Sequence, residues 1–464
     1  MFHPFKTAVS PRPRRLAEAV KIEGKKIEGR SGTLDVYTLP LEAQSMEIEG
    51  CKCFIFGNNL GKKNRTIMVL GATGAGKSTM VNRMINYILG VTWDDTFRFK
   101  LVDEGTAKSQ ANSQTSEITV YKLNHREGFK IDYSLTIVDT PGFGDTRGIE
   151  RDRLIMSQLE KLLSAKSGIS EIDAICFVIQ ASLARLTTTQ KYVFDSVLCI
   201  FGKDVAENIR ILVTFADNTK PLVLGAINEF GVPCPKTKNG LPIHFKFNNS
   251  ILGAFNDDDD DDDDDEEEEE GGIKKRWDMG TKNMKKLFSD LKVIETKSLT
   301  LTKEVLRQRA QLEISIENIE IKVKLALTKL EENKKESQIL QAHRSAFAGM
   351  LKKKYERAFK KAMSVGDIIK QMELEYDHLE EEVVGLMERS AQCLNTLKEI
   401  ALRPDPLSTA DYIDLLIEGE KLEAKPGYLE RICKLMELKK KAITTGEVDS
   451  IHSRLNFAAG QSIG

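Results

Sequence analysis

Apolar residues along this chain change their spacing several times, and each change marks an element. Thr66-Ile67-Met68-Val69-Leu70 is a short apolar, partly β-branched run, which predicts a buried strand. Beyond a polar loop, Met80, Val81, Met84, Ile85, Ile88 and Leu89 recur on one helical face, and Gly90 can close that helix. Ile118–Leu123 and Phe129–Val138 read as two strands. The short, turn-like Asn124-His125-Arg126-Glu127-Gly128 between them predicts antiparallel pairing. Leu154, Ile155, Leu159, Leu162 and Leu163 mark the next helix, and Ala174–Ile179 the next strand. Thr187-x-x-Gln190 looks like a capping box for a helix carrying Val193, Phe194, Val197 and Leu198. Ile209–Val213 is a strand, Leu222–Phe230 a helix and Ile243–Phe247 the last strand; Cys51–Phe56 adds an edge strand upstream. Strands alternating with helices predict an α/β domain with a mostly parallel sheet, one antiparallel hairpin, and helices on both faces.

From Ser298 the period changes. Leu312, Ile316, Ile319, Val323, Ala326 and Leu330 recur at spacings of four and three, as do Met372, Tyr376, Leu379, Val383 and Leu386, continuing to Leu397. These are heptad seams, so the second half is expected to be an all-α helical or coiled-coil region. Their spacing leaves open whether they pair within the chain or between chains. A basic stretch from Lys352 to Lys361 separates them, and Pro404 and Pro406 stop the second long helix. Between the α/β pattern and the heptads, Met279, Met284, Leu287 and Leu291 predict a last helix for the α/β domain over Trp277–Leu291. It follows fourteen consecutive acids, Asp257 to Glu270, whose mutual repulsion predicts an extended solvated loop. The expected division is a flexible arm over 1–64, an α/β domain over 65–294 with an acidic insertion at 256–272, and a helical region over 295–464.

Composition narrows the partners. With 464 residues and a net charge of −2, the chain has room for two or three domains and no global field that points to nucleic acid. No apolar run reaches membrane-spanning length. The arm, with Arg12, Arg14 and Arg15, could touch acidic lipid, but a solvated tail is the simpler account. Seven scattered cysteines, with Cys51-x-Cys53 too close for usual zinc spacing, predict reduced thiols and a cytoplasmic protein.

The loop between the first strand and helix carries the chemistry. Gly71-Ala72-Thr73-Gly74-Ala75-Gly76-Lys77-Ser78 fits G-x-x-x-x-G-K-[ST] at every fixed position, in the strand–loop–helix context the motif needs. Its backbone N–H groups and the helix start through Thr79 make an anion cradle. Lys77 is placed to reach the β- and γ-phosphates and Ser78 to ligate Mg²⁺. Asp139-Thr140-Pro141-Gly142 stands at a strand end and fits D-x-x-G: Asp139 for a Mg²⁺-bound water, the Gly142 N–H for the γ-phosphate. A switch threonine that touches both Mg²⁺ and the γ-phosphate should lie between the motifs. Thr115 is the best placed, with Ser113 and Ser116 as rivals. Thr214-Phe215-Ala216-Asp217 ends the strand Ile209–Val213, where a base would be read. The Asp217 carboxylate can accept from both guanine N1–H and its amine, which adenine cannot offer, so an ATPase is disfavoured. Asp217 as a cap for the following helix is the bland alternative.

With these residues in view, the chain resembles GTPases of the branch that holds septins and immunity-associated GTPases, over roughly 65–294. Asp139-Thr-Pro-Gly-Phe-Gly-Asp145 matches the septin form of the third motif. Arg185-Leu186-Thr187 resembles the immunity-associated box between the third and fourth motifs, and Phe247-Asn248-Asn249 resembles that family's fifth motif, which lines the base. The resemblance implies GTP/GDP and Mg²⁺ as ligands and a G domain that dimerises across its nucleotide face. Two departures stand out. Phe215 occupies the place of a usual lysine or arginine, and Phe143 stands where Ras-like proteins carry a water-positioning glutamine. The second is shared by this branch and implies slow hydrolysis until dimerisation or a protein partner completes the site, with Arg147 and Arg185 as candidate charges. The expectation is a slow Mg²⁺-dependent GTPase whose nucleotide state controls assembly. Its rival is a scaffold that keeps its nucleotide and acts through the helices.

Overall fold

The computed structural model describes residues 15–27, 34–101, 117–144, 149–249 (apart from 184, 187 and 218), 266–312 and 365–403, with isolated positions between 314 and 325 and between 417 and 436. The chain forms two compact units. One comprises Met1–Lys303, Ala401–Leu407 and Asp414–Ile432; the other comprises Glu304–Ile400, Ser408–Ile413 and Cys433–Gly464.

The first unit is built on an eight-stranded sheet. Its strands are β3 (Glu42–Gln44), β4 (Cys51–Phe56), β5 (Asn64–Leu70), β7 (Ile118–Leu123), β8 (Ser134–Asp139), β10 (Ala174–Gln180), β11 (Ile209–Thr214) and β12 (His244–Lys246), in the spatial order β12-β11-β10-β5-β8-β7-β4-β3. The neighbours β12-β11-β10-β5-β8 all run parallel. β7 pairs antiparallel with β8, as the short turn predicts, although β8 begins at Ser134 and not at Phe129. β4 is parallel to β7 and is covered by β3, so it is not the edge.

Alternating residues of the central strands face one core. Ile67 and Val69, Leu135 and Ile137, and Ala174, Cys176 and Val178 point to the same side. There they meet helix α2 (Lys77–Leu89) and helix α6 (Glu266–Val293). α2 buries its predicted face, and Gly90 closes it by donating to the carbonyls of Asn86 and Tyr87. The other strand positions are also buried, as are Ile155, Leu159, Leu162 and Leu163 of α3 (Ile149–Ser164) and Phe194 and Val197 of α4 (Thr188–Leu198). Leu154, assigned to the apolar side of α3, is instead exposed. α5 (Val223–Phe230) completes the set.

Three expectations change. The N-terminal segment is not a flexible arm over 15–27 and 34–64. Helix α1 (Leu16–Glu23) buries Ala17 and Val20 in the core, and Arg15 pairs with Asp95. β1 (Lys25–Lys26) and β2 (Asp35–Thr38) form a small sheet with β6 (Phe97–Lys100). The many charged residues of the arm hid two small apolar residues spaced three apart on a helix. Second, the acidic run is not wholly extended: Glu266–Glu270 open α6. Glutamate is a good helix former, and carboxylates are favoured at a helix N-terminus. Third, the first unit continues past residue 294. β13 (Lys297–Ser298) pairs with β9 (Glu171–Ile172), and Thr302 Oγ1 accepts from the Gly202 N–H at 3.2 Å. The chain also returns to this unit after residue 400: Leu402 N–H donates to Phe201 O at 2.9 Å, and Arg403 pairs with Asp195 of α4.

In the second unit the described heptad positions agree with the predicted seam. Leu386 and Leu397 are buried along the helix Val365–Ile400, and Ser390 and Cys393 between them are buried at spacings of four and three, while the side chains of Met372, Tyr376, Leu379 and Val383 lie outside the described residues. Lys322 pairs with Glu382 at 2.5 Å, which joins the two heptad segments within one chain. Ile316, Ile319, Val323, Ala326 and Leu330 lie outside the described residues.

Candidate nucleotide site

Five parallel strands, β5, β8, β10, β11 and β12, point their carboxyl ends to one edge of the sheet, and the described motifs follow those ends. Val69 is in register with Asp139, Leu70 with Phe177, and Gln180 with Thr214. The carboxyl edge of such a sheet is where ligands bind.

The loop Gly71–Ser78 leaves β5 under close constraint. A Cβ on Gly71 would stand 2.5 Å from the Val178 carbonyl oxygen, so only glycine lets the loop pass against β10. Lys77 begins α2 and is buried, with its Nζ donating to the carbonyls of Gly71 at 3.1 Å and Ala72 at 2.9 Å. Those bonds hold the ammonium across the mouth of the loop, where a phosphate anion would sit. Gln180 donates to Gly74 O at 3.1 Å and steadies the outer lip; no motif in the sequence marked it.

The third motif is clamped onto this loop. Asp139 ends β8 and is 1% exposed; Thr140 Oγ1 donates to Val69 O at 2.8 Å. Thr73 N–H donates to Phe143 O at 2.8 Å and Phe143 N–H to Gly71 O at 3.3 Å, which gives a bridge between Ala72 and Phe143. Gly142 is a glycine because of proximity: a Cβ there would meet Thr73 Oγ1 at 2.5 Å and Thr73 Cα at 2.7 Å. Phe143 is fully buried. Gly144 N–H donates to both carboxylate oxygens of Asp152 on α3, at 3.0 and 3.1 Å. Asp152 is a second residue that the sequence did not reveal, because a lone acid on a helix carries no motif. Burial, with the Asp139 charge adding to it, pushes the Tyr121 phenol well above its usual range. Ser78 and Asp139 offer a hydroxyl and a carboxylate, the hard oxygen donors that Mg²⁺ takes, so the residues fit that ion.

The fourth motif is built as a turn. Thr214 Oγ1 donates to Ala75 O at 2.8 Å and so ties β11 to the phosphate loop. Phe215 takes a left-handed φ of 50° and is 53% exposed, its ring edge near Gly76. Asp217 is exposed, and its Oδ1 accepts from the Thr219 N–H at 2.7 Å and hydroxyl at 2.5 Å. Those bonds lower its pKa below the usual carboxylate range. Asp217 therefore caps its own turn and not the next helix, which starts at Val223. Lys246 donates to the carbonyls of Asp217 and Thr219 and holds the turn from β12.

Of the fifth motif, Asn248 is half-buried and Asn249 is buried against Met80, with its Oδ1 unbonded among the described residues. Arg185 lies exposed after β10. Thr115, Ser113, Ser116, Arg147 and the capping Thr187 lie outside the described residues.

Residues 65–230, from β5 through α5, match the AIG1 family. They are a GTP-binding P-loop GTPase domain of the septin and immunity-associated branch. The chain is 25% identical over 155 residues to GTP-binding protein A of Dictyostelium discoideum, covering 33% of this chain and 29% of that one. It is 32% identical over 114 residues to Protein peanut of Drosophila melanogaster, covering 23% and 19%. It spans less than half the length of the curated relatives it matches. Toc33 from Arabidopsis thaliana, solved with Mg²⁺ and GMPPNP, is 14% identical, covers 51% of this chain and 88% of its own, and aligns with a TM-score of 0.31.

Proposed function

We propose that this chain is a Mg²⁺-dependent GTPase, slow as a single copy, whose nucleotide state governs pairing of its G domain with a second copy. The supporting observation is Phe143. Its ring is fully buried and its backbone is bridged to Ala72, so that position has no side chain to orient an attacking water. The missing group must come from elsewhere. Arg185, exposed in the chain after β10, is a candidate to reach a second copy, and Arg147 is another candidate by sequence.

In this reading Lys77 neutralises the β- and γ-phosphates, and the Gly142 N–H meets the terminal phosphate. Ser78, Thr115 and Asp139 would hold Mg²⁺, which when bound offsets the negative charge on the phosphate oxygens. Thr214 fixes the base-reading turn, Asp217 accepts from guanine, Phe215 stacks on the ring, and Asn248 and Asn249 close the far side. The scattered cysteines support a cytosolic setting.

The test is GTP turnover per chain as a function of protein concentration, alongside sedimentation. Turnover that rises as monomer becomes dimer is expected. Turnover that stays flat across that transition overturns the coupling. Retained nucleotide with no turnover at any concentration would favour the scaffold.

A further inference from the structure

One polar group in the phosphate loop has no partner among the described residues. The Thr73 hydroxyl is buried, and no described residue bonds it. The backbone N–H of Thr73 is already used, donating to Phe143 O at 2.8 Å. The hydroxyl lies on Gly142, since a Cβ on that glycine would be 2.5 Å from Thr73 Oγ1. It therefore sits at the seam where the phosphate loop meets the third motif. Burying a hydroxyl without a partner is unfavourable, and such a group in a binding cleft is completed by ligand.

We infer that the Thr73 hydroxyl donates to the terminal phosphate of a bound nucleoside triphosphate and helps the site tell triphosphate from diphosphate. The inference rests on the nucleotide reading above. Position along the loop selects the terminal phosphate. The inner N–H groups and the start of α2 face the α- and β-phosphates, whereas Thr73 stands at the third-motif end, beside the glycine whose N–H meets the γ-phosphate. A hydroxyl there adds a donor to charged oxygens that a diphosphate lacks.

The experiment is calorimetric titration, with Mg²⁺, of GTPγS and GDP into the native chain, Thr73→Ala and Thr73→Ser. Thr73→Ala should lose roughly ten- to a hundredfold in GTPγS affinity, the worth of one hydrogen bond to a charged group, and keep GDP affinity. Thr73→Ser should restore the ratio. An unchanged ratio of the two affinities in Thr73→Ala overturns the inference while leaving the nucleotide reading standing. Failure of the native chain to bind either nucleotide overturns both. Thermal unfolding without nucleotide gives an independent check. In Thr73→Val, which exchanges only the hydroxyl for a methyl of similar size, the midpoint should stay unchanged or rise, and a clear fall would show a structural partner and refute the assignment.

Discussion

Gly142→Ala tests how tightly the third motif is pressed onto the phosphate loop. The added methyl would stand 2.5 Å from Thr73 Oγ1, 2.7 Å from its Cα and 3.0 Å from its N. Two of those atoms are backbone, so a rotamer change cannot relieve the clash. Ordinary contact begins near ~3.5 Å, so the two loops must separate by roughly 1 Å. The Thr73–Phe143 bond of 2.8 Å and the Phe143–Gly71 bond of 3.3 Å would both then exceed hydrogen-bond length. Each is worth about 1 kcal/mol net, and forced overpacking costs about 1–3 kcal/mol. Closing the motif should therefore cost about 3–5 kcal/mol, and the variant escapes by leaving it open. The fold survives, because the strands and α2 are untouched. The Gly142 N–H, however, moves away from where a γ-phosphate would sit. Titration with GTPγS and GDP should show triphosphate affinity down by at least about tenfold with GDP affinity kept. Equal loss for both nucleotides would mean the variant damages the loop itself. No loss for either would show that the clamp plays no part in reading the terminal phosphate.

Other perturbations address separate parts of the account. Asp217→Asn should weaken GTP and strengthen XTP by about ten- to a hundredfold each, because xanthine offers an acceptor where guanine has its amine; competition binding with GTP, XTP and ATP would show instead a uniform loss if Asp217 only caps its turn. Arg65→Ala strands Asp173 in a pair whose side chains are 4% and 1% exposed, and it should cost about 3–5 kcal/mol in denaturant unfolding. A loss under about 1 kcal/mol would mean the pair is not desolvated in solution. Arg403→Met removes the guanidinium that opposes the burial-driven rise of the Asp195 pKa. The folded-state pKa then rises further above the unfolded value, so the carboxylate destabilises the fold while charged and the penalty disappears as pH falls below the raised pKa. The stability gap between variant and native chain should therefore shrink toward acid pH; a gap that widens there would contradict the burial of Asp195.

The parts that were legible in the sequence are those in which one local pattern determines the outcome. Helix α2 announced itself by period and by Gly90, β7 and β8 by a short turn, and the phosphate loop by fixed glycines and Lys77. What stayed hidden depends on distant residues. Ala17 and Val20 look unremarkable in a polar arm until the core they fill is assembled. Arg65 gave no sign that it would pair with Asp173, or that its guanidinium would reach the Ile294 carbonyl. Trp277 marks α6 as apolar, yet only the fold shows Arg83 and Arg98 stacked on its ring, at 4.8 and 4.7 Å from the centroid. Burial, with the neighbouring Arg98 charge adding to it, lowers the Arg83 pKa to about 10. In the site, Asp152, Gln180 and Lys246 hold loops by single bonds that have no sequence signature. Phe143 shows the converse: its identity alone said that it cannot hydrogen-bond a water, and the fold adds that its ring is buried and its backbone bridged to Ala72.

The central claim is that a guanine nucleoside triphosphate binds in the loop Gly71–Ser78 through Lys77. Lys77 spans the loop mouth, bonded to the carbonyls of Gly71 and Ala72, and its charge is the one the phosphates would meet first. The most direct measurement is calorimetric titration of GTP with Mg²⁺ into the native chain and into Lys77→Ala, with circular dichroism confirming that both are folded. The account predicts saturable one-to-one binding by the native chain and loss of at least about tenfold in the variant. Equal GTP affinity in two folded proteins would contradict it.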